Sequence, residues 1–127
     1  MKFCTAVCCM DGRIQLPIIN YLKNRFNADY VDMLTEAGIN KVLSDHDDQT
    51  LLNSILNKLN ISINAHGSNH IAVAAHYDCT GNPTTEVEHK QQIVDSIVFL
   101  RNLFIDSEFI GLWVDENWQV HEIDEEE

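Results

Sequence analysis

A short run in the middle of the chain, Ile71-Ala72-Val73-Ala74-Ala75, constrains the fold more than any other feature. It is apolar at every position, so neither side of it is suited to water. A strand buried on both faces belongs at the centre of a parallel sheet that is covered by helices. The rest of the chain is therefore read as the helices and strands that such a sheet requires.

Lys2 to Cys8 is apolar and β-leaning and gives the first strand. Gly12 breaks the pattern, and Pro17 suits the first turn of a helix. Leu16, Ile19, Leu22 and Phe26 then recur at helical spacing, which predicts a helix over residues 16–26. Tyr30 to Leu34 is the second strand, and Ala37-Gly38 marks a loop. Leu51, Leu52, Ile55, Leu56 and Leu59 make the stripe of a second helix that stops near Gly67. After the central strand, Gly81-Asn82-Pro83 is a turn. Thr85 and Glu88 form a capping box for a third helix, whose stripe is Ile93, Ile97, Leu100 and Phe104. Phe109 to Val114 is a last main strand. Asp115-Glu116-Asn117 turns the chain so that Trp118 to Ile123 pairs back as an edge hairpin. The expected fold is α/β: a mostly parallel central sheet flanked by helices, with a C-terminal antiparallel edge hairpin, in one domain over residues 1–127.

Charge narrows the function classes. Twenty acidic residues against eight basic ones give a formal net charge of −12. Such a surface repels nucleic acid and anionic membranes, whose binding depends on Lys and Arg. Part of the charge lies in Asp124-Glu125-Glu126-Glu127, which reads as a solvated end. No apolar run approaches the roughly 18–20 residues that span a bilayer. The N-terminal stretch lacks a small-residue cleavage site, so the expected location is cytoplasmic.

Ligands of open α/β sheets sit beyond the C-terminal ends of the strands. Two polar groups fall there: Cys9-Met10-Asp11-Gly12-Arg13 after the first strand, and His76-Tyr77-Asp78-Cys79 after the third. As neighbouring strands, these two would share one mouth. Thiolate and imidazole are natural zinc ligands. His76 and Cys79 lie close enough on a turn to face one ion, and Cys9 supplies a third donor. Cys8 points the other way, because side chains alternate along a strand. Three protein ligands leave a fourth position for water, whose pKa zinc lowers to about 7. Asp11 is placed to accept a hydrogen bond from the resulting hydroxide. Arg13 is placed to pair with Asp11 and keep it ionised.

With these residues in view, the sequence resembles the β-class carbonic anhydrases. Their pattern is Cys-x-Asp-x-Arg, an Ala-Gly-Asn-like loop and His-x-x-Cys. Here it corresponds to Cys9 to Arg13, Ala37-Gly38-Ile39-Asn40 and His76 to Cys79. The resemblance runs from about Phe3 to the Leu112–Val120 hairpin. It is closest to a short, little-characterised branch in which the last motif continues into Gly-Asn-Pro, as Gly81-Asn82-Pro83 does here. It implies one Zn2+ per chain on Cys9, His76 and Cys79, with Asp11 and Arg13 orienting the hydroxide. The implied reaction is the reversible hydration of carbon dioxide to bicarbonate, in a homodimer or larger homo-oligomer. The sequence departs from the family at Thr80, where glycine is usual, and at the bulky Tyr77. Family members also carry N-terminal helices that supply pocket residues. This chain begins at the first strand, so those residues are not placed here.

Other functions compete with this one. Hydrolysis of another small electrophile, such as carbonyl sulfide or carbon disulfide, would use the same site. A non-catalytic zinc protein would have Asp11 or another group fill the fourth position. A thiol redox protein using Cys8 and Cys9 is disfavoured, since vicinal cysteines on a strand make a strained disulfide. His46 in Asp45-His46-Asp47-Asp48 is weighed as a proton shuttle, but a solvated loop with an aspartate capping the next helix is preferred. His66 and His70 are expected at the surface, and His89 is left open. Trp113 and Trp118 are expected to pack a core or a subunit interface.

Overall fold

The computed structural model describes residues 1–124. Glu125, Glu126 and Glu127, part of the expected solvated end, lie outside the described residues. The elements are β1 (Phe3–Cys8), α1 (Gly12–Phe26), β2 (Tyr30–Thr35), α2 (Ile39–Asp45), α3 (Gln49–His66), β3 (His70–His76), α4 (Glu86–Leu103), β4 (Glu108–Val114) and β5 (Val120–Ile123). The five strands form one sheet in the order β2-β1-β3-β4-β5. Pairing is parallel from β2 through β4 and antiparallel between β4 and β5.

Alternation along the strands divides the core into two layers. Val7, Ile71, Val73 and Ala75 pack with Leu52, Ile55 and Leu59 of α3 and Ile93, Ile97 and Leu100 of α4. Cys4, Ala6, Cys8, Ala72 and Ala74 pack with Ile14, Ile18, Leu22 and Phe26 of α1. The central run is buried along its whole length, Ile71 to Ala75. The chain steps from β1 outward to β2 over α1. It then crosses back past β1 to β3, and on to β4, over the opposite face. The direction of winding reverses between β1 and β3, and that reversal opens a crevice at their C-terminal ends.

Several boundaries differ from those read in the sequence. The first helix begins at Gly12 because the Asp11 carboxylate accepts from the Arg13 N–H and caps it. Pro17 therefore lies inside α1, where it removes the amide that would bond the Arg13 carbonyl. The buried stripe is Ile14, Ile18, Leu22 and Phe26, whereas Leu16 is 68% exposed. Residues 39–45 form α2, a helix for which the sequence predicts no element. It is too short to show a stripe and buries only Ile39, Asn40 and Leu43. Asp48 caps α3, accepting from Leu51 N–H at 3.0 Å, and Thr85 caps α4, accepting from Glu88 N–H at 3.1 Å. The edge strand starts at Val120, because Trp118 takes a left-handed backbone, φ 60°.

The revised stripe has a measurable consequence. Ile18→Ala is expected to cost about 2–5 kcal/mol, the usual range for truncating a fully buried aliphatic side chain. Leu16→Ala should stay within about 0.5 kcal/mol. Urea unfolding of the two variants distinguishes this register from the one predicted by the sequence.

Candidate metal centre at the switch point

Cys9 is the first residue beyond β1, and His76 is the last residue of β3. The turn after β3 brings Cys79 back toward both. Asp78 takes a left-handed backbone there, φ 58°, and Asn82 N–H bonds the Cys79 carbonyl at 3.3 Å. One ligand atom from each of Cys9, His76 and Cys79 lies within 4.8 Å of the other two, and all three residues are buried. The Cys9 and Cys79 sulfurs are 3.9 Å apart, and both cysteines are free. A disulfide needs about 2.05 Å. Two sulfurs each about 2.3 Å from one tetrahedral ion lie about 3.8 Å apart. The observed spacing excludes the first case; it is that of an S–H···S hydrogen bond and also fits the second.

His76 supports the same interpretation. Its Nδ1–H donates to the Tyr77 carbonyl at 2.7 Å, which fixes the tautomer that leaves Nε2 with a free lone pair. That Nε2 is buried and, among the described residues, has no hydrogen-bond partner. An unpaired buried ring nitrogen facing two sulfurs fits a metal ligand.

The sulfurs are also prepared electrostatically. Cys9 is pulled well below the usual thiol range, first by the Cys79 S–H that donates to it. His76 and the backbone N–H groups of Gly38 and Asp11 add to this, against burial. Cys79 moves the other way, because the Cys9 sulfur and burial both disfavour a second thiolate. The N–H groups of Asn82 and Gly81 soften that effect. Burial pulls the His76 pKa down, but the Cys9 sulfur, the Tyr77 carbonyl and Asp11 outweigh it, so the net shift is upward. Cys4 and Cys8 are not part of this cluster, and burial pushes their thiols up to about 11 and about 12.

Gly38 and Gly81 therefore serve opposite sulfurs from two loops that touch. A Cβ on Gly38 would sit 2.5 Å from the Gly81 oxygen, and one on Gly81 would sit 2.8 Å from the Gly38 nitrogen. Gly38 also holds φ at 61°, where side chains are disfavoured. This contact accounts for the glycine at 81, which follows Thr80. Asn40 Nδ2 donates to the Ala74 carbonyl at 2.8 Å, and Asn82 Nδ2 donates to Gln92 Oε1 at 2.6 Å. These bonds tie the loops to β3 and α4.

Asp11 and Arg13 flank the cluster. Arg13 Nε donates to Asp11 Oδ1 at 3.0 Å and Nη2 donates to Oδ2 at 2.7 Å, a two-pronged pair. The guanidinium holds the Asp11 carboxyl down to about 2. The same guanidinium reaches Asp78 and lies over Trp118. Gln15 Nε2 donates to the Cys9 and Asp11 carbonyls and braces the loop between β1 and α1.

A cavity of about 10 Å³, roughly the room for one water, adjoins the cluster between Asn40, Asn82 and His89. A wider groove of about 560 Å³ opens on Cys79 and His89 and is walled by Tyr77, Trp113, Glu86 and Glu116. His89, left open by the sequence, is thus in the wall between the two, buried and with Nδ1 unpaired among the described residues. His46 caps α2 and packs on Phe99, and it lines neither space. His66 and His70 bind Asp32 and Glu108. Trp113 is a core residue, as expected, but Trp118 is not only packing. The sequence offered no signal for Asp78, which reads as an ordinary turn residue.

The comparisons with known proteins agree with this geometry. The family model described as "Putative carbonic anhydrase" matches residues 1–124, and the chain belongs to that family. The structure is similar to a carbonic anhydrase from Streptococcus mutans, with TM-score 0.60 and 18% identity, covering 94% of this chain and 81% of that one. It is similar to β-carbonic anhydrase isoform I from Trichomonas vaginalis, with TM-score 0.59 and 15% identity over the same shares. At these identities the likeness establishes the fold: the mostly parallel sheet with its antiparallel edge is that of the β-carbonic anhydrases. Among curated proteins, none matches the sequence.

Two outcomes test the local chemistry. Chelator-treated protein at pH 6 should be alkylated by iodoacetamide first at Cys9, with Cys4 and Cys8 unmodified, as peptide mapping would read. Equal labelling of the four would contradict the assignment. Gly38→Ala should lower stability by about 1–3 kcal/mol or more in urea unfolding, because strain and a backbone clash add.

Proposed function

We propose that the chain is a zinc-dependent carbonic anhydrase that interconverts carbon dioxide and bicarbonate. Cys9, His76 and Cys79 are the metal ligands, and Asp11 and Arg13 are the catalytic pair. The observation that carries this reading is the Cys9–Cys79 sulfur spacing of 3.9 Å beside the unpaired Nε2 of His76. Family membership supplies the reaction class.

Zinc bound to these donors supplies a Lewis acid that makes water nucleophilic near neutral pH. The chain's own groups do the rest. His76 is held in one tautomer by the Tyr77 carbonyl, so Nε2 is always presented to the metal. Asp11, ionised above about pH 2, accepts a hydrogen bond from the nucleophile and turns its lone pair toward the carbon. Arg13 keeps both Asp11 oxygens engaged, so the carboxylate stays oriented. The groove is lined by Asp78, Glu86 and Glu116. An acidic mouth admits an uncharged gas and repels the anionic product, which favours release.

The reading extends to the whole chain. We take the chain, residues 1–127, as one domain by sequence, and the four free cysteines suit a reducing, cytoplasmic compartment. Among the described residues, no helix is long and apolar enough to cross a membrane. The assembly is a homodimer or larger homo-oligomer, the commonest closed form. Light scattering on the purified protein measures it.

Stopped-flow hydration of carbon dioxide on metal-analysed protein tests the proposal. About one zinc per chain is expected, with Asp11→Asn keeping the zinc and losing about 10²–10⁴-fold in rate, the range for a positioned proton acceptor. Zinc at that ratio with no hydration between roughly pH 6 and 9, where zinc-bound water ionises, would reject the reaction and leave the metal site. Carbonyl sulfide and carbon disulfide would then be assayed.

A further inference from the structure

The Arg13 guanidinium is held from three sides by groups that come from three places in the chain. Asp11, two residues earlier, takes Nε and Nη2. Asp78, between the candidate ligands His76 and Cys79, takes Nη1 on its carboxylate at 3.2 Å and Nη2 on its backbone carbonyl at 3.1 Å. Trp118, in the turn between β4 and β5, presents its ring 4.5 Å from the guanidinium carbon. Trp118 reaches this place through a left-handed backbone, φ 60°. Its N–H bonds the Asp115 carbonyl at 3.0 Å, while the Asp115 carboxylate accepts from the N–H groups of Asn117 and Gln119. The turn is therefore built tightly, and its product is one aromatic face laid on Arg13.

We propose that Asp78 and Trp118 are positioning residues that clamp Arg13 onto Asp11 and thereby keep the Asp11 carboxylate off the metal. This rests on the zinc-site reading and adds a role for the β4–β5 turn, which lies outside both metal-binding motifs. The Arg13 side chain is 44% exposed. An exposed ion pair alone fixes a carboxylate weakly, because water competes and both side chains gain freedom on separating. A planar guanidinium fixed on two more sides loses that freedom. Its fork then meets Asp11 in one orientation. Asp11 follows Cys9 by two residues and its carboxylate feels the charge of His76; the three donors leave one of zinc's usual four positions open, and carboxylate oxygen is a competent zinc ligand. Clamping thus favours an exchangeable fourth position over a closed one.

The test uses the cobalt(II)-substituted full chain, whose visible spectrum reports the fourth ligand without turnover. Azide is the probe. Wild-type protein should respond to azide. Trp118→Ala should bind it about tenfold more weakly, as expected for losing a ring contact and the order it imposes. Trp118→Phe should stay near wild type, because a ring face remains. Asp78→Asn keeps the left-handed backbone, which Asn tolerates, and removes only the carboxylate. It should weaken azide binding in the same direction and serves if Trp118→Ala does not fold. In an Asp11→Asn background, Trp118→Ala should have no further effect. The clamp is overturned if Trp118→Ala and Asp78→Asn bind azide like wild type, or if Trp118→Ala weakens azide equally in the Asp11→Asn background. It is also overturned if the wild-type cobalt protein ignores azide. A wild type that responds to azide but does not hydrate carbon dioxide would fail the proposed reaction and leave the clamp standing.

Discussion

Two sulfurs held 3.9 Å apart without a bond between them set the terms for the rest of this structure. Left to themselves, two ionised thiols in a buried site would repel, so the Cys9 thiol is pulled down while that of Cys79 is pushed up. The chain resists that repulsion with backbone. Cys9 follows β1 and Cys79 sits on the turn after β3, and the loops behind them meet glycine on glycine. The N–H groups of Gly38 and Gly81 reach opposite sulfurs across that contact. The close approach leaves no room for a side chain at either glycine.

The sheet makes the approach possible. Parallel pairing of β1 with β3 puts both strand ends on one rim, and the reversal of winding between them leaves that rim uncovered. α2 and α4 then close it from one side, through Asn40 on the Ala74 carbonyl and Gln92 on Asn82. The other side carries charge. The carboxylate that caps α1 is also the one paired with Arg13, so helix initiation and the orientation of Asp11 are a single event. Among the described residues, His76 Nε2 and His89 Nδ1 are buried without a hydrogen-bond partner, which costs stability, and His76 is grouped with the two sulfurs.

Much of the fold was legible because burial leaves a period in the sequence. The apolar run at 71–75 announced a doubly buried strand. The Thr85–Glu88 capping box and the stripe Ile93, Ile97, Leu100 located α4. Period fails where an element is short or a side chain acts twice. α2 is too brief to repeat, and Asp11 looked like site chemistry alone, so its capping of α1 and the true helix start were missed. The grouping of Cys9, His76 and Cys79 is legible because their types and strand-end positions are uncommon together, and the structure brings the three side chains to one place. Asp78 and Trp118 are not legible in this way, because their contacts with Arg13 come from tertiary geometry. A turn aspartate and a hairpin tryptophan carry no mark of the residue they will meet.

The central claim is that these three side chains hold one zinc ion. Zinc X-ray absorption on the metal-loaded protein tests it most directly. The account predicts a four-coordinate ion with two sulfurs at about 2.3 Å, one imidazole nitrogen at about 2.0–2.1 Å and one further light atom. A shell of nitrogen and oxygen alone, or one with fewer than two sulfurs, would contradict it.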